Sequence, residues 1–340
     1  MSEEAGKYSF AVLPSGPAPK VPSYSVFDGL PALPAEANRN IGSCLNNLIQ
    51  VLAVQRKPAG IDKFISGIDR ELKTRMEIHR TFRAGSSSVD TGIAGHSDVD
   101  MMVWLQANMA SPDSEAVLHR VSAALSSAFG ARMRVSSPAV IVGFDDELSV
   151  DVVPVIDSTE VLTGRLRGEA QLFLPGSSRD WIATNPEAHI KSIQNTDRKQ
   201  YGRLRGLIRL LKAWKYFNQV PIVSYYLESF ALHIARQERF SDFPQVEFFK
   251  ILNCLWRFFQ SGNVSIPDPN IYSNWGRLLP CERGDAQGVA GEIQSAAYLA
   301  TRAMDAEWAG DLASAVSFWS QVVNLDLSGI AGIFLSIVTA

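Results

Sequence analysis

Apolar residues fall into distinct spacings along the chain, and each spacing predicts an element. From Ala35 to Phe82 they recur at helical intervals: Ile41, Leu45, Leu48 and Leu52 form one stripe, and Ile61, Phe64, Ile65, Ile68 and Leu72 a second. Pro58 and Gly60 separate the stripes, so two helices are expected, the second running straight into a Gly-Ser stretch. An apolar run at Val99–Leu105 predicts a strand, followed by a helix around Ser114–Phe129. The segment RMRVSSPAVIVGFDDELSVDVVPVI reads as two strands joined by a turn at Asp145–Glu147, and AQLFLPG as another short strand. After Trp181 the spacing is helical nearly throughout, with helix starts near Pro186, Arg198, Ser224, Gln245, Ala290 and Asp311.

The first half is therefore mixed α/β with a small sheet and the second is helical, an α+β chain of two lobes divided near residues 160–180. Working bounds are 35–175 for the mixed lobe and 176–340 for the helical one. Ahead of both, Pro14, Pro17, Pro19, Pro22, Pro31 and Pro34 predict an extended arm over residues 1–34.

A 340-residue chain that is 46% hydrophobic and 20% charged is ordinary for a soluble globular protein. Its net charge of −3 says little, but the distribution says more. Between Arg165 and Lys215 eleven Lys/Arg face four Asp/Glu, a local excess of +7 inside an otherwise acidic chain. That favours a local anion site over a nucleic-acid coat, with a solvated helix face as the competing explanation. Cys44, Cys254 and Cys281 are too far apart for a CxxC pair and fit structural thiols in the cytoplasm. MSEEAGKYSF lacks the apolar core of a signal peptide, no stretch is long enough to span a membrane, and the apolar tail IAGIFLSIVTA is expected to pack on the body.

The chemistry gathers in AGSSSVDTGIAGHSDVDMMVWL. Asp98 and Asp100, two apart at the start of a strand, point to one face. Adjacent carboxylates repel, and a divalent cation resolves the conflict. Oxygen ligands without paired Cys or His favour Mg²⁺ or Mn²⁺, which take their other ligands from water and substrate phosphates. Asp151, in LSVDVVPVI on a neighbouring strand, completes a set able to hold two ions. Gly85 allows close approach of backbone to phosphate, and the Ser86 hydroxyl can donate to it. The ordered combination GS…TxIxGxSDxD with a later strand-borne Asp is far more specific than any of its parts.

These residues resemble the active-site motif of the nucleotidyltransferase superfamily that shares the fold of DNA polymerase beta. More narrowly, the chain is similar to the bacterial cGAS/DncV-like nucleotidyltransferases, the CD-NTases. The match runs through Gly85-Ser86, Thr91, Ile93, Gly95, Ser97-Asp98-Val99-Asp100 and Asp151-Val152-Val153-Pro154, then WIATNPEAHI, RGLIRLLKAWKYFN and PIVSYYLE, covering about residues 40–325. The resemblance implies a cytosolic enzyme that joins nucleoside triphosphates into cyclic di- or trinucleotide signals in bacterial anti-phage defence. Asp90 stands where many members have Gly, and Ser87, Ser88 and Val89 replace the aromatic or basic residues often found there.

In RLRGLIRLLKAWKYF, Leu204, Leu207, Ile208 and Leu211 form a core stripe, while Arg205, Arg209 and Lys212 share another face. Either surface acids or phosphates answer those cations. Lys212 holds the family's Lys-x-Trp position, which implies a triphosphate clamp, with Arg209 beside it. Ser224 is expected to cap a helix N-terminus, where backbone N–H groups favour phosphate, and Tyr225 to stack on a nucleobase. Two other readings stay open: a template-free enzyme that adds nucleotides to RNA, and an inactive nucleotide-binding scaffold. With no His–Cys cluster for a zinc insertion and no broad basic surface, double-stranded DNA is not expected as a partner; the alternatives are constitutive activity in vitro, or control by a regulatory protein of the same defence system or by another ligand.

Overall fold

The computed structural model of the protein describes residues 35–53, 59–96, 98–145, 148–157, 172–176, 179–270, 277–281 and 286–327. The arm at 1–34, the apolar tail from 330 onward, Pro58, Ser97, Asp146, Glu147 and most of the expected lobe boundary lie outside the described residues.

Helices α1 (Ala35–Leu52) and α2 (Ile61–Arg75) carry the two predicted stripes. α2 stops at Arg75 rather than Phe82, because Ile78–Ala84 is a strand, β1, paired antiparallel with β2 (Val99–Leu105). The apolar stripe of α2 ends at Leu72, and Thr81 turns its hydroxyl back to Asp69 at 2.7 Å, so the ensuing segment pleats against β2 instead of continuing the helix. A short helix, α3 (Gly85–Val89), follows, and α4 (Ser114–Phe129) starts from an Asp113 cap that accepts from the amides of Glu115 and Ala116.

The long apolar segment contains three strands where two were expected: β3 (Met133–Ser136), β4 (Ala139–Gly143) and β5 (Ser149–Asp157). Pro138, which has no amide to give a ladder, marks the turn that divides β3 from β4. β6 (Leu172–Pro175) and the unanticipated β7 (Trp181–Thr184) extend from the end of β5. The main strand order is β1-β2-β5-β4-β3, with β2 and β5 parallel and the other neighbours antiparallel. Pro154 is tolerated in the middle strand because the pairing with β4 ends at Val152.

One face of the sheet, including Met101, Val103, Val140 and Val152, is buried under Ile65, Ile68 and Leu72 of α2 and Val117, Val121 and Leu125 of α4. The other face packs Ala84, Met102, Val153 and Val155 with Ile141 half-buried beside them, and it bears the carboxylates.

The helical part contains α5 (Pro186–Lys199), α6 (Arg203–Phe217), α7 (Ser224–Gln237), α8 (Pro244–Gln260), α9 (Ala286–Trp308) and α10 (Leu312–Val323), with a small hairpin of β8 (Ile266–Pro267) and β9 (Arg277–Leu278). α6 begins at Arg203, not Arg198, since Gly202 at φ 83° breaks it from α5. α1, assigned by its sequence position to the mixed lobe, packs instead in the helical core, where Ile41, Leu45 and Leu48 join Leu207, Trp214 and Phe248. Gly206 permits that crossing, as a Cβ there would lie 3.2 Å from Ile49.

Candidate active site

Asp100 and Asp151 stand directly opposite one another on the parallel neighbours β2 and β5. Asp98 lies one pleat period before Asp100, and its Oδ1 accepts from both the amide (3.1 Å) and the hydroxyl (2.8 Å) of Ser149. The same hydroxyl is 3.2 Å from Asp151 Oδ1, so Ser149 ties the exposed Asp98 to the third carboxylate. Sequence reasoning missed Ser149, although strand alternation puts it on the face of Asp151 two residues on.

Burial, reinforced by the charges of Asp151, Glu228 and Asp98, pushes the Asp100 carboxyl up to about 7. Burial and Asp98 likewise raise Asp151, opposed by the Ser149 hydroxyl and by Arg134. Carboxylates that strain one another in this way fit a divalent cation, and the all-oxygen donor set suits Mg²⁺ or Mn²⁺. Among the described residues no three such side chains are already drawn to coordination distance.

Gly85 opens α3 at φ +62°, and a Cβ on it would sit 1.7 Å from Asp100 Oδ2. Glycine is thus required twice, by its backbone and by the carboxylate resting on it. The Ser86 carbonyl accepts from the Thr91 amide at 3.1 Å, closing the turn, while Ser87 and Ser88 donate to the Ala84 carbonyl. Val89 and Ile93 then drop into the helical core, so the motif loop is anchored in one half of the molecule and its strands in the other.

The basic face of α6 is answered by protein acids, not left open for phosphate. Arg209 Nη2 binds Asp90 at Oδ1 (2.9 Å) and at the carbonyl (2.7 Å), and Arg205 pairs with Asp197 at 2.6 Å. The expected nucleotide contact from Arg209 is therefore replaced by a brace on the motif loop. Asp90 itself takes the left-handed conformation at the end of α3 (φ 57°), which accounts for a glycine-like position occupied by an acid.

Lys212, expected as a clamp, is likewise held by protein groups. The residue is 2% exposed, and its ammonium lies 2.5 Å from Glu228 Oε1 and donates to the Thr91 carbonyl at 3.2 Å. Glu228 also accepts from the Thr91 hydroxyl (2.8 Å) and contacts His189 Nε2 (2.8 Å). Although burial opposes it, Lys212 and His189 hold the Glu228 carboxyl below the usual range. A lone acid in the apolar stretch SYYLESFALHIA was the available signal for this partner.

Lys215, one turn further along α6, is half-buried. Its Nζ donates to the Ser224 hydroxyl at 2.7 Å, and burial together with the Lys212 charge lowers its pKa. Ser224 is the first residue of α7 and makes no capping bond, so its expected cap role is corrected: the hydroxyl serves Lys215. Half-buried Tyr225 fixes its hydroxyl on Asp268 (3.1 Å) and Asn270 (3.2 Å), with its ring 4.6 Å from that of His189.

Residues 41–197, which contain all three aspartates and the glycine-serine turn, match the family described as the Second Messenger Oligonucleotide or Dinucleotide Synthetase domain. Over that segment the chain is similar to the synthetase domain, and its fold is that of the CD-NTases. A structure of Escherichia coli MS115-1 CdnC with ATP superimposes with a TM-score of 0.65 at 16% identity, over 84% of this chain and 98% of that one. CdnC in complex with HORMA-deltaN gives 0.59 at 19% identity, over 84% and 96%. The Bradyrhizobium diazoefficiens CD-NTase CdnG with GTP gives 0.58 at 13%, over 84% and 98%. Vibrio cholerae DncV cyclic AMP-GMP synthase, in complex with the linear intermediate 5′ pppA(3′,5′)pG, gives 0.55 at 14%, over 85% and 86%. No curated protein sequence matches the chain. Among the described residues of this CD-NTase fold, no helix is long and apolar enough to cross a membrane.

Proposed function

We propose that the protein joins nucleoside triphosphates into a cyclic di- or trinucleotide messenger, releasing pyrophosphate at each bond formed. The observation that carries this reading is the opposition of Asp100 and Asp151 across β2 and β5, with Gly85 packed against the first of them. Asp98, Asp100 and Asp151 would hold two Mg²⁺ or Mn²⁺ ions, whose chemistry when bound is to neutralise charge at the α-phosphate and acidify the attacking hydroxyl.

The chain's own groups divide the remaining tasks. Asp151 orients the ribose hydroxyl and receives its proton. The oxygen so freed bonds to the α-phosphorus of the donor, the bond to the β-phosphate breaks, and pyrophosphate departs with that electron pair. Gly85 and Ser86 cradle the donor phosphates at the end of β1. Lys215 and Ser224 take the clamp expected of Lys212, because both are half-buried and bonded to each other, whereas the Lys212 ammonium is held in the buried pair with Glu228. Tyr225, with its hydroxyl fixed and its ring tilted against that of His189, stacks on a base.

In this reading the enzyme acts in the cytoplasm in anti-phage signalling. It is either constitutively active in vitro or controlled by a partner protein or another ligand, and double-stranded DNA does not activate it. The test incubates purified protein with the four nucleoside triphosphates and Mg²⁺, with and without long duplex DNA, and identifies products by mass spectrometry. Cyclic products that vanish in an Asp98→Asn, Asp100→Asn variant are expected. Extended RNA, or binding without turnover, would replace this reading; strong stimulation by DNA would overturn its regulatory part.

A further inference from the structure

Five residues form one row across the sheet, paired Cα to Cα from β1 to β3: Ala84, Asp100, Asp151, Ile141 and Arg134. Residues in such register point to the same face. Packing agrees, since Ala84 and Ile141 belong to the cluster on the carboxylate face, whereas Met133, next to Arg134, packs with the opposite cluster under α2 and α4. Gly85 follows Ala84. The row thus runs from the phosphate cradle, through two carboxylates and an apolar step, to a cation at the sheet edge.

Arg134 is exposed, and among the described residues its guanidinium has no ion pair or hydrogen bond. Its backbone lies two strands from Asp151, roughly 10 Å at the usual strand spacing. Half-buried Ile141 occupies the interval, so the arginine faces Asp151 across a gap with an apolar floor.

We infer that Arg134 binds a phosphate of the acceptor nucleotide, the one whose ribose hydroxyl attacks. This rests on the nucleotidyl-transfer reading and extends it to the second nucleotide. The donor triphosphate occupies the β1 side of the carboxylates, beside Gly85. The attacking ribose must then approach Asp151 from its open side, toward β4 and β3. An acceptor nucleotide brings its own 5′-phosphates into that space, and a planar guanidinium matches a phosphate through two parallel N–H donors.

Titration calorimetry with non-hydrolysable ATP and GTP analogues and Mg²⁺ tests the assignment. The unaltered protein should bind two nucleotides. Arg134→Ala should keep the first site and weaken the second roughly 10- to 100-fold, the range for a lost charge-assisted hydrogen bond, with Arg134→Lys in between. Pyrophosphate release should fall in the variant when the acceptor is a nucleoside triphosphate and hold steady when it is a bare nucleoside. Melting temperature should not move, because the side chain holds nothing in place. Unchanged second-site affinity, equal losses with both acceptors, or loss of the first site would each overturn the assignment. If Lys215→Ala weakens the first site while Arg134→Ala changes nothing, only this inference falls; if the unaltered protein binds no nucleotide, the transfer reading falls with it.

Discussion

Replacing Lys212 by Met separates two views of the same lysine. Were it a triphosphate clamp, the variant would keep its stability and lose nucleotide affinity by about 1.5–3 kcal/mol. The structure gives a different magnitude. Lys212 and Glu228 are 3% and 6% exposed at the side chain and 2.5 Å apart, so removing the ammonium strands a buried carboxylate. Breaking one partner out of such a pair destabilises by about 3–5 kcal/mol. Glu228 keeps the Thr91 hydroxyl and His189, which puts the expected loss near the lower bound. At roughly 2 °C per kcal/mol for a chain of this size, the melting temperature should fall by about 6 °C. Adding Glu228→Gln should restore part of that loss, because the uncompensated charge goes with it. Differential scanning fluorimetry on the parent, both single variants and the double variant closes the cycle. A Lys212→Met protein that melts like the parent but binds nucleotide weakly would refute this account and return Lys212 to the phosphates.

Three further outcomes follow from the same geometry. Gly85→Ala should lose synthesis and about 1–2 kcal/mol of stability from the left-handed backbone alone, since its Cβ also drives Asp100 from its place; near-normal product formation would contradict the cradle. Lys215→Ala should weaken triphosphate binding about tenfold or more without lowering the melting temperature as Lys212→Met does, which calorimetry and fluorimetry read side by side. Asp100, pushed up to about 7 when folded against an unfolded value of 3.8, binds its proton more tightly in the native state. Stability without divalent ions should therefore fall as pH rises from about 4 to about 7 and then level off, by at most about 4 kcal/mol. Asp100→Asn should flatten that slope, and a parent that gains stability over the same range relative to Asn would refute it.

Much of the site was legible because strands and helices impose periods on their residues. Asp98, Asp100 and Asp151 announced themselves as acids in apolar strand surroundings, and β2, α4 and α7 begin where the spacing puts them. What remained hidden was set by contacts distant in sequence. Nothing local in IHRTFRA decides between continuing α2 and pairing with β2; the partner strand decides. The charges on α6 were visible, but their partners Asp90, Asp197 and Glu228 come from three separate elements, and only folding shows which cation is spent on them. Lys212 and Lys215 look alike in the sequence and differ by one turn of helix.

The contacts around Thr91 bear on how the protein can be cut. The segment that matches the synthetase family ends at residue 197, yet the charged groups that brace its motif loop, Arg209, Lys212 and Glu228, all lie beyond that point. Val89 and Ile93 are likewise sheltered by side chains from the helical half. A fragment truncated after residue 197 would keep every carboxylate and lose the scaffold that aims them. The set of contacts that holds the loop is larger than the segment matched to the family, and a ribosome must deliver α7 before Thr91 meets its buried acid.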